Sequence, residues 1–286
     1  MNDICVRFGE NQRLHGILTK SNNNSSEMTV LIISAGFTST QGPYRLNTLI
    51  CRELAAQNIN ALRFDLGGLG ESLPHSPEKS ILERTQIDIK DAIDFLEQQN
   101  LTKNLVIMGL CSGAEDSFQY AGVDSRVSGV LMIDPHSYPS LGFYLRYYFG
   151  LPMYLRILAK TKKIIRQLTP KSRKLTITGT YEPSLVNYQY LPKKDSCKIM
   201  QELINRNTLI HYIYTGGVIS RFNYPKQVKA MFSSINLKQL VSVDHIPNIE
   251  HTQVHRYERK LLIDSVTNCL VKWKEVFTDH QTAGST

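Results

Sequence analysis

The chain has 286 residues, is 42% hydrophobic and 20% charged, and carries a formal net charge of +8. This length and composition are typical of a globular protein, and α/β folds of this size often form a single unit. No apolar run reaches the length of a membrane-spanning helix, and the N-terminus lacks the apolar core of a signal peptide. We therefore predict neither a membrane span nor a secretory leader.

The cysteine content indicates the compartment. The five cysteines, at positions 5, 51, 111, 197 and 269, are scattered and odd in number. They have the spacing of neither a disulfide framework nor a zinc site. Free cysteines fit the reducing cytosol, so we expect a cytoplasmic protein without a metal site.

The first half of the chain alternates apolar strands with amphipathic helices. The apolar residues that recur at helical spacing within the last of these helices are Leu82, Ile89, Ala92, Ile93 and Leu96. In chain order, we predict a hairpin over 4–8 and 13–19, a strand over 29–33, a helix over 43–57, a strand over 59–64 and a helix over 80–98.

The second half repeats this alternation. We predict a strand over 104–108, a helix that begins near residue 114, strands over 127–133, 209–214 and 237–243, and a long helix over 253–274. Because the strands are apolar throughout and helices separate them, the sequence predicts an α/β fold with a doubly wound, mostly parallel sheet.

The pentapeptide Gly109-Leu110-Cys111-Ser112-Gly113 lies between a predicted strand and a predicted helix. Glycines two residues on either side of a nucleophile are typical of the sharp strand-to-helix turn called the nucleophile elbow. The turn is cramped, and a Cβ at the glycine positions would clash. We therefore predict that Cys111 is the nucleophile. Ser112 is the weaker alternative, because its use would place Leu110 at a cramped glycine position.

Two loops and a late histidine accompany this turn. Ser34-Ala35-Gly36-Phe37 follows a strand, residues 63–72 form a glycine-rich turn, and His251 precedes Trp273 by 22 residues. With these segments, residues 28–278 resemble the α/β-hydrolase superfamily. They look closest to bacterial hydrolases found beside polysaccharide-export genes, which also have cysteine at the elbow.

The resemblance implies the α/β-hydrolase fold, a doubly wound and mostly parallel sheet with a helical cap insertion. The implied division of the chain is a core over 1–134 and 175–278, a basic, aromatic-rich cap over 135–174 and a flexible tail over 279–286.

The resemblance also implies chemistry through an acyl-enzyme. The Cys111 thiolate would attack an acyl carbon, and the N-terminus of the following helix would favour the thiolate. Backbone N–H groups of Phe37 and Ser112 would form the oxyanion hole. We expect Glu115 and Asp116, in the first helical turn, to stabilise the helix dipole and, as anions, partly to oppose a low thiol pKa.

Three late histidines are candidates for the general base. We favour His251, because a histidine late in the chain follows the nucleophile in this superfamily. His245, which directly follows the last predicted strand, is the main alternative. His255 lies within the predicted final helix, where a solvated side chain is the expected outcome.

The acid that would orient the histidine is not at its usual position. The loop after the strand 209–214 has no carboxylate. We assign the acid to Asp134, at the end of the preceding strand. Asn223 is the alternative, since asparagine orients the histidine in papain-like sites. We expect Asp65 to be a structural turn residue.

The cap region is strongly basic. From Pro135 to Tyr181 the sequence has no acidic residue. The positive residues of this segment are Arg146, Arg156, Lys160, Lys162, Lys163, Arg166, Lys171, Arg173 and Lys174. These nine charges exceed the net charge of the whole chain, which is +8, so the basic character is local and indicates a surface.

Three interpretations of the basic segment stay open. It is a cap with a solvated charged face, it binds an acidic partner such as an acyl carrier protein or coenzyme A, or it contacts an anionic membrane. Its aromatic residues favour an apolar acyl pocket, and we assign Tyr144, Tyr147 and Tyr148 to substrate binding. No recognition motif accompanies the charge, so we expect no nucleic-acid binding.

Three functions follow from these observations. The first is a cysteine-dependent ester or thioester hydrolase with a small-molecule acyl substrate and no cofactor. The second is an acyltransferase, which would pass an acyl group from a coenzyme A or carrier-protein thioester to a hydroxyl or amine. The third is a non-catalytic binding protein on a hydrolase fold, an alternative that the missing late carboxylate motivates.

Overall fold

The computed structural model describes residues 2–21, 26–36, 38–75, 79–149 and 190–283. Their strands form one eight-stranded sheet of order β1-β2-β4-β3-β5-β6-β7-β8. The first two strands pair antiparallel and the remaining six run parallel to one another. The strands are β1 (Asn2–Phe8), β2 (Leu14–Lys20), β3 (Met28–Ile33), β4 (Asn60–Phe64), β5 (Asn104–Leu110), β6 (Val127–Ile133), β7 (Leu209–Thr215) and β8 (Val241–Ile246).

Helices cover both faces of the sheet, which confirms the predicted doubly wound arrangement. The helices are α1 (Leu46–Ala56), α2 (Ile81–Gln98), α3 (Ser112–Ala121), α4 (Leu141–Phe149), α5 (Lys193–Asn205), α6 (Gln227–Met231) and α7 (Arg256–Ala283). Apolar residues of α1 and α7 pack on one face, and those of α2, α3 and α5 pack on the other.

The central strand β5 shows why the sequence gives this layering. Successive side chains of a strand point to opposite faces. Leu105 and Ile107 belong to the core beneath α2 and α3, whereas Val106 and Met108 belong to the core beneath α1 and α7. A strand buried on both faces must be apolar at every position. The uninterrupted apolar run therefore predicted a central parallel strand correctly.

One glycine and one helix cap fix local features of this scaffold. A Cβ on Gly129 would lie 2.7 Å from the ring of Trp273, so the glycine in β6 lets the tryptophan of α7 pack flat on the sheet. At the start of α2, the Ser80 side chain accepts from the Glu83 N–H at 3.3 Å and the Glu83 carboxylate accepts from the Ser80 N–H at 2.8 Å. This capping box begins the helix where the periodicity placed it.

Some predicted boundaries are wrong. β8 spans Val241–Ile246 rather than 237–243, so His245 lies inside the strand. β8 is an edge strand with alternating exposure, and its polar residues leave no continuous apolar run that would mark its ends. α5 had no sequence prediction although Met200, Leu203 and Ile204 are buried. Leu82, expected on the buried face of α2, is 47% exposed.

The ends of the predicted domains also differ. α7 continues to Ala283, so 279–283 are helical instead of belonging to a tail. Of the predicted cap, 135–149 is described and contains α4, whereas 150–174 lies outside the described residues. No helix among the described residues combines the length and apolar character needed to cross a bilayer. All five cysteines are unpaired.

Candidate active site

Three side chains meet at the carboxyl edge of the parallel strands. Cys111 follows β5, Asp134 follows β6 and His251 lies in the loop between β8 and α7. Parallel strands end at the same edge, and ligand sites of open α/β sheets lie there. The structure thus brings together the three residues that the sequence predicted as nucleophile, base and acid.

The strand-to-helix turn at Cys111 has the geometry of a nucleophile elbow. Cys111 has φ 54° and ψ −116° and is the N-cap residue of α3. A Cβ on Gly109 would lie 2.3 Å from backbone atoms of Gly113, and one on Gly113 would lie 2.5 Å from the carbonyl oxygen of Ile33. Backbone atoms cannot move aside, so both glycines are required for the turn. The unfavourable backbone of Cys111 is stored strain of the kind found at functional sites.

Asp134 is a buried carboxylate that accepts three hydrogen bonds. Its oxygens accept from the Thr215 N–H at 2.7 Å, from the Thr215 hydroxyl at 2.6 Å and from Nδ1 of His251 at 2.6 Å. The residue is 1% exposed and has φ 49°. Asn223, the alternative acid, donates its amide to the carbonyl oxygen of Phe143 instead. Asp134 is therefore the group that orients His251.

The electrostatics favour an ion pair between the thiol and the imidazole. The hydrogen bond that His251 donates to Asp134, and next its hydrogen bond with Cys111, raise the pKa of His251 from 6.5 to about 9. The hydrogen bond with His251 is the largest cause that lowers the pKa of the Cys111 thiol, against an opposing effect of burial. Because each charged form stabilises the other, the site favours the thiolate–imidazolium pair more than separate thiol and imidazole groups would.

The other two histidines do not take this position. His245 lies beside Tyr214 of the neighbouring strand β7, and its ring lies edge-on to Phe222. Burial lowers the pKa of His245. His255 precedes α7 and is exposed, and its backbone N–H donates to Glu258. The structure therefore selects His251 over His245 as the partner of Cys111.

The loop after β3 is tied to the elbow by Ser112. The Ser112 hydroxyl accepts from the Gly36 N–H at 2.8 Å, and Gly36 has φ 50°. This contact positions the loop that the sequence assigned to the oxyanion hole and gives the hydroxyl a structural partner. The backbone N–H of Ser112 lowers the pKa of the Cys111 thiol and so is near the sulfur. Phe37, the other predicted donor, lies outside the described residues.

Known structures share this architecture. An esterase of Pyrococcus furiosus superposes with a TM-score of 0.59 at 14% identity, covering 96% of this chain and 91% of that chain. Est1E of Butyrivibrio proteoclasticus gives 0.58 at 11% identity, over 94% and 98%. An α/β serine hydrolase without a lid from Xanthomonas campestris gives 0.55 at 14% identity, over 96% and 95%. The chain has the α/β-hydrolase fold. No protein-family model matches the sequence, and no curated protein is significantly similar to it.

Within this α/β-hydrolase fold, Asp65 has a structural role. Its carboxylate accepts from the Thr40 N–H at 2.6 Å and from the Glu71 N–H at 3.2 Å. Its carbonyl oxygen accepts from the Ser72 hydroxyl at 2.7 Å. Asp65 thus joins the loops after β3 and β4, in agreement with the sequence interpretation.

Glu115 differs from its expected role. It is 5% exposed, and its carboxylate accepts from the His136 N–H at 2.5 Å. Burial raises its pKa to about 7. A carboxyl group that is about half protonated near pH 7 opposes the thiolate less than the full anion we expected. Asp116 is buried as well.

Several residues that support the site escaped sequence analysis. Thr215 gives both of its donors to Asp134. A Cβ on Gly217 would lie 2.4 Å from the backbone nitrogen of His251, so this glycine admits the histidine loop. Gln253, buried with φ 46°, donates to the carbonyl oxygens of Glu250 and His251. The one sequence signal that could have pointed to these residues was the Thr215-Gly216-Gly217 segment at the end of the apolar strand β7.

The tyrosines assigned to substrate binding lie on α4. Tyr144 and Tyr148 are 47% and 52% exposed and stack on each other with centroids 6.3 Å apart. Tyr147 stacks on the buried Phe143 at 5.6 Å. α4 is joined to the loop after β7, because the Ser140 and Tyr224 hydroxyls lie 2.7 Å apart. These contacts form an aromatic surface, and its role in substrate binding stays a prediction.

Metal ligation has no candidate among the residues that the structure describes. No group of three or more histidine, cysteine, aspartate or glutamate side chains there is arranged to hold an ion.

Proposed function

We propose that this chain is a cysteine-dependent ester or thioester hydrolase that acts through an acyl-cysteine intermediate. The observation that carries the proposal is the arrangement of Cys111, His251 and Asp134 at the carboxyl edge of an α/β-hydrolase fold. Solved structures of similar architecture include esterases. One such neighbour is described as a serine hydrolase, whereas cysteine is the central residue of the elbow here.

The proposed reaction starts from the thiolate–imidazolium pair. The Cys111 sulfur attacks the carbonyl carbon, a carbon–sulfur bond forms, and the carbonyl π electrons move to oxygen. The Ser112 N–H and a second donor from the loop after β3 stabilise this oxyanion. When the bond to the leaving group breaks, the His251 imidazolium gives its proton to the departing oxygen or sulfur.

Deacylation reverses the proton path. Neutral His251 takes a proton from water as the water oxygen attacks the thioester carbon. The acid is released and the thiolate and imidazolium are restored. Asp134 keeps Nδ1 of His251 protonated throughout, so that Nε2 faces the reacting atoms. The hydrogen bond of 2.6 Å between Nδ1 and Asp134 supports this tautomer.

An acyltransferase is the second candidate, and the cysteine favours it. Thioesters react well with amines and hydroxyls, so an acyl-cysteine suits transfer as well as hydrolysis. In this alternative, coenzyme A or an acyl carrier protein supplies the acyl group, and the basic segment binds that donor or an anionic membrane. Its charges from Arg156 onward lie outside the described residues. Arg146 is described, and it lies over the ring of Tyr224 at 4.2 Å.

The main reason to consider a non-catalytic binding protein no longer holds. The absence of a carboxylate after β7 suggested a degenerate site. Asp134 supplies a carboxylate to His251 from the neighbouring strand. A binding protein would have no need for a strained cysteine next to an oriented imidazole.

Intact-mass measurement tests the proposal. We expect one acyl adduct on Cys111 after brief incubation with an activated ester, and no adduct in Cys111→Ala. The His251→Ala variant should acylate and deacylate much more slowly. Ser112→Ala, which removes the other hydroxyl of the elbow, should still be acylated on the cysteine. No adduct with any ester or thioester would refute enzymatic function, and acyl transfer to added amines in preference to water would favour the second candidate.

A further inference from the structure

Arg221 is a cation beside the candidate active site that the proposed reaction does not use. It lies in the loop after β7, where the Gln227 side chain donates to the carbonyl oxygen of Arg221 at 2.7 Å. A guanidinium nitrogen of Arg221 lies 3.4 Å from the carbonyl oxygen of Asp134. The backbone of Arg221 is therefore held in place, and its charged end lies next to the acid of the triad.

Two buried nitrogen atoms at this position have no partner. In the described part of the chain, Arg221 forms no ion pair and its buried Nε makes no hydrogen bond. Nδ1 of His136 is also buried and unbonded there. The His136 ring is fixed by stacking on Tyr190, with centroids 4.2 Å apart, and by edge contact with Tyr138. Buried polar atoms normally have partners, so the unbonded Nε of Arg221 and Nδ1 of His136 are two donors that a ligand at this position could satisfy.

The charge of Arg221 reaches the groups around the nucleophile. After the larger effect of His251, it contributes to lowering the pKa of the Cys111 thiol. It lowers the pKa of His136 in addition to burial, and it opposes the raised pKa that burial gives Glu115. Glu115 is directed to the His136 N–H and forms no ion pair with Arg221. Arg221 therefore adds positive potential near the sulfur, which favours an anionic group there.

We propose that Arg221 and His136 form a subsite for a carboxylate carried by the acyl group of the substrate, close to its reacting carbonyl. The guanidinium presents a planar fork of donors that matches a carboxylate, and a neutral imidazole adds one N–H. This inference rests on the proposed function and narrows it to acyl donors with an anionic acyl group. Arg221 is then a specificity-determining residue that takes no part in bond making.

Two alkylating reagents of similar size test the charge preference at Cys111. Iodoacetate is an anion and iodoacetamide is neutral, and both form the same kind of sulfur–carbon bond with loss of iodide. The ratio of their rates cancels changes in the thiolate population. We expect Arg221→Gln to lower the iodoacetate-to-iodoacetamide ratio about tenfold and Arg221→Lys to lower it less. His136→Gln should also lower the ratio. Arg7→Gln, at an exposed arginine of the edge strand β1, should leave it unchanged.

A pair of rigid esters tests the same preference in acyl transfer to the cysteine. The mono-4-nitrophenyl ester of terephthalic acid carries a carboxylate that cannot attack its own ester, and the 4-carbamoylbenzoate ester is its neutral analogue. We expect the wild-type protein to favour the anionic ester in kcat/KM and Arg221→Gln to lose that preference. Acylation by both esters at equal rates would overturn the subsite and leave the proposed function intact, whereas no acylation by either would overturn the proposed function.

Ionic strength gives a measurement that needs no variant. If Arg221→Gln fails to fold, the iodoacetate-to-iodoacetamide ratio of the wild-type protein is followed from about 0.01 M to about 1 M salt. Screening at high salt should lower the ratio severalfold. A ratio equal to that of a free thiol peptide, and independent of salt, would refute an anion subsite at Cys111.

Discussion

Asp134→Asn removes the charge of the carboxylate that orients His251 and keeps its shape. The asparagine oxygen can still accept from the Thr215 N–H, whereas the amide NH2 takes the place of the oxygen that accepts from the Thr215 hydroxyl and from Nδ1 of His251. The substitution therefore removes both the charge and the acceptor for His251 while it changes the packing little. We expect the imidazolium of His251 to lose its main stabilising partner.

The expected size of the effect follows from the pKa of His251. That pKa is raised from 6.5 to about 9, with Asp134 as the largest cause and Cys111 as the second. The difference corresponds to about 3 kcal/mol of preference for the protonated ring. Because the side chain is 31% exposed and Cys111 shares the effect, we expect asparagine to remove about half of this preference, or roughly a tenfold change in the imidazolium population.

The rate of alkylation by iodoacetamide as a function of pH measures this change. In the wild-type protein, we expect Cys111 to react below the pH range of a free thiol, because His251 lowers its pKa. In Asp134→Asn, the acid limb of the profile should move up by about one pH unit. Asp88→Asn is the matched control, since Asp88 is also buried and bonded to a histidine, His75, at 2.7 Å. That variant should keep the wild-type profile.

The same pair affects stability in a defined pH window. The raised pKa of His251 stabilises the fold fully below pH 6.5, and this contribution is lost as the pH rises through about 9. The difference in unfolding free energy between wild type and Asp134→Asn should therefore shrink over that range. An unchanged alkylation profile in a folded Asp134→Asn protein, together with a pH-independent stability difference, would refute the electrostatic account.

Three further substitutions test other parts of the site. Glu115→Gln should increase the free energy of unfolding by about 1–3 kcal/mol more at pH 8 than at pH 5, because burial raises the pKa of Glu115 to about 7 and charging it is then costly; equal effects in urea titrations at both pH values would contradict this. Ser112→Ala removes the acceptor of the Gly36 N–H, so acylation should slow about tenfold while the pH profile of alkylation stays unchanged. A shift of that profile would contradict the view that the Ser112 hydroxyl only positions the loop after β3. Gly109→Ala would put a Cβ 2.3 Å from backbone atoms of Gly113. We expect it to lower the thermal midpoint of unfolding by the equivalent of about 3 kcal/mol or more. A midpoint within about two degrees of wild type would show that the turn is less cramped than the structure indicates.

Much of the fold was predictable because its signals are local. The apolar run of β5 and the glycines around Cys111 depend on neighbours in the chain, and the structure places both where the sequence did. Prediction of strand and helix boundaries failed where polar and apolar residues are mixed within one element. β8 is an edge strand with polar residues on one face, so its boundaries were wrong. α5 has a clear apolar face, but it follows a long basic segment and was missed.

The sequence by itself determined the class of fold and predicted Cys111 as the nucleophile, since hydrophobic periodicity and the steric limits of a tight turn are encoded over a few residues. It left Asp134 and Asn223, and His251 and His245, as alternatives. Only the tertiary structure decided between them. The order of the strands brings the end of β6 to the loop after β8, 117 residues further along the chain. The burial of Glu115 and the position of Arg221 follow from the same packing, which depends on contacts between distant segments and has no local pattern.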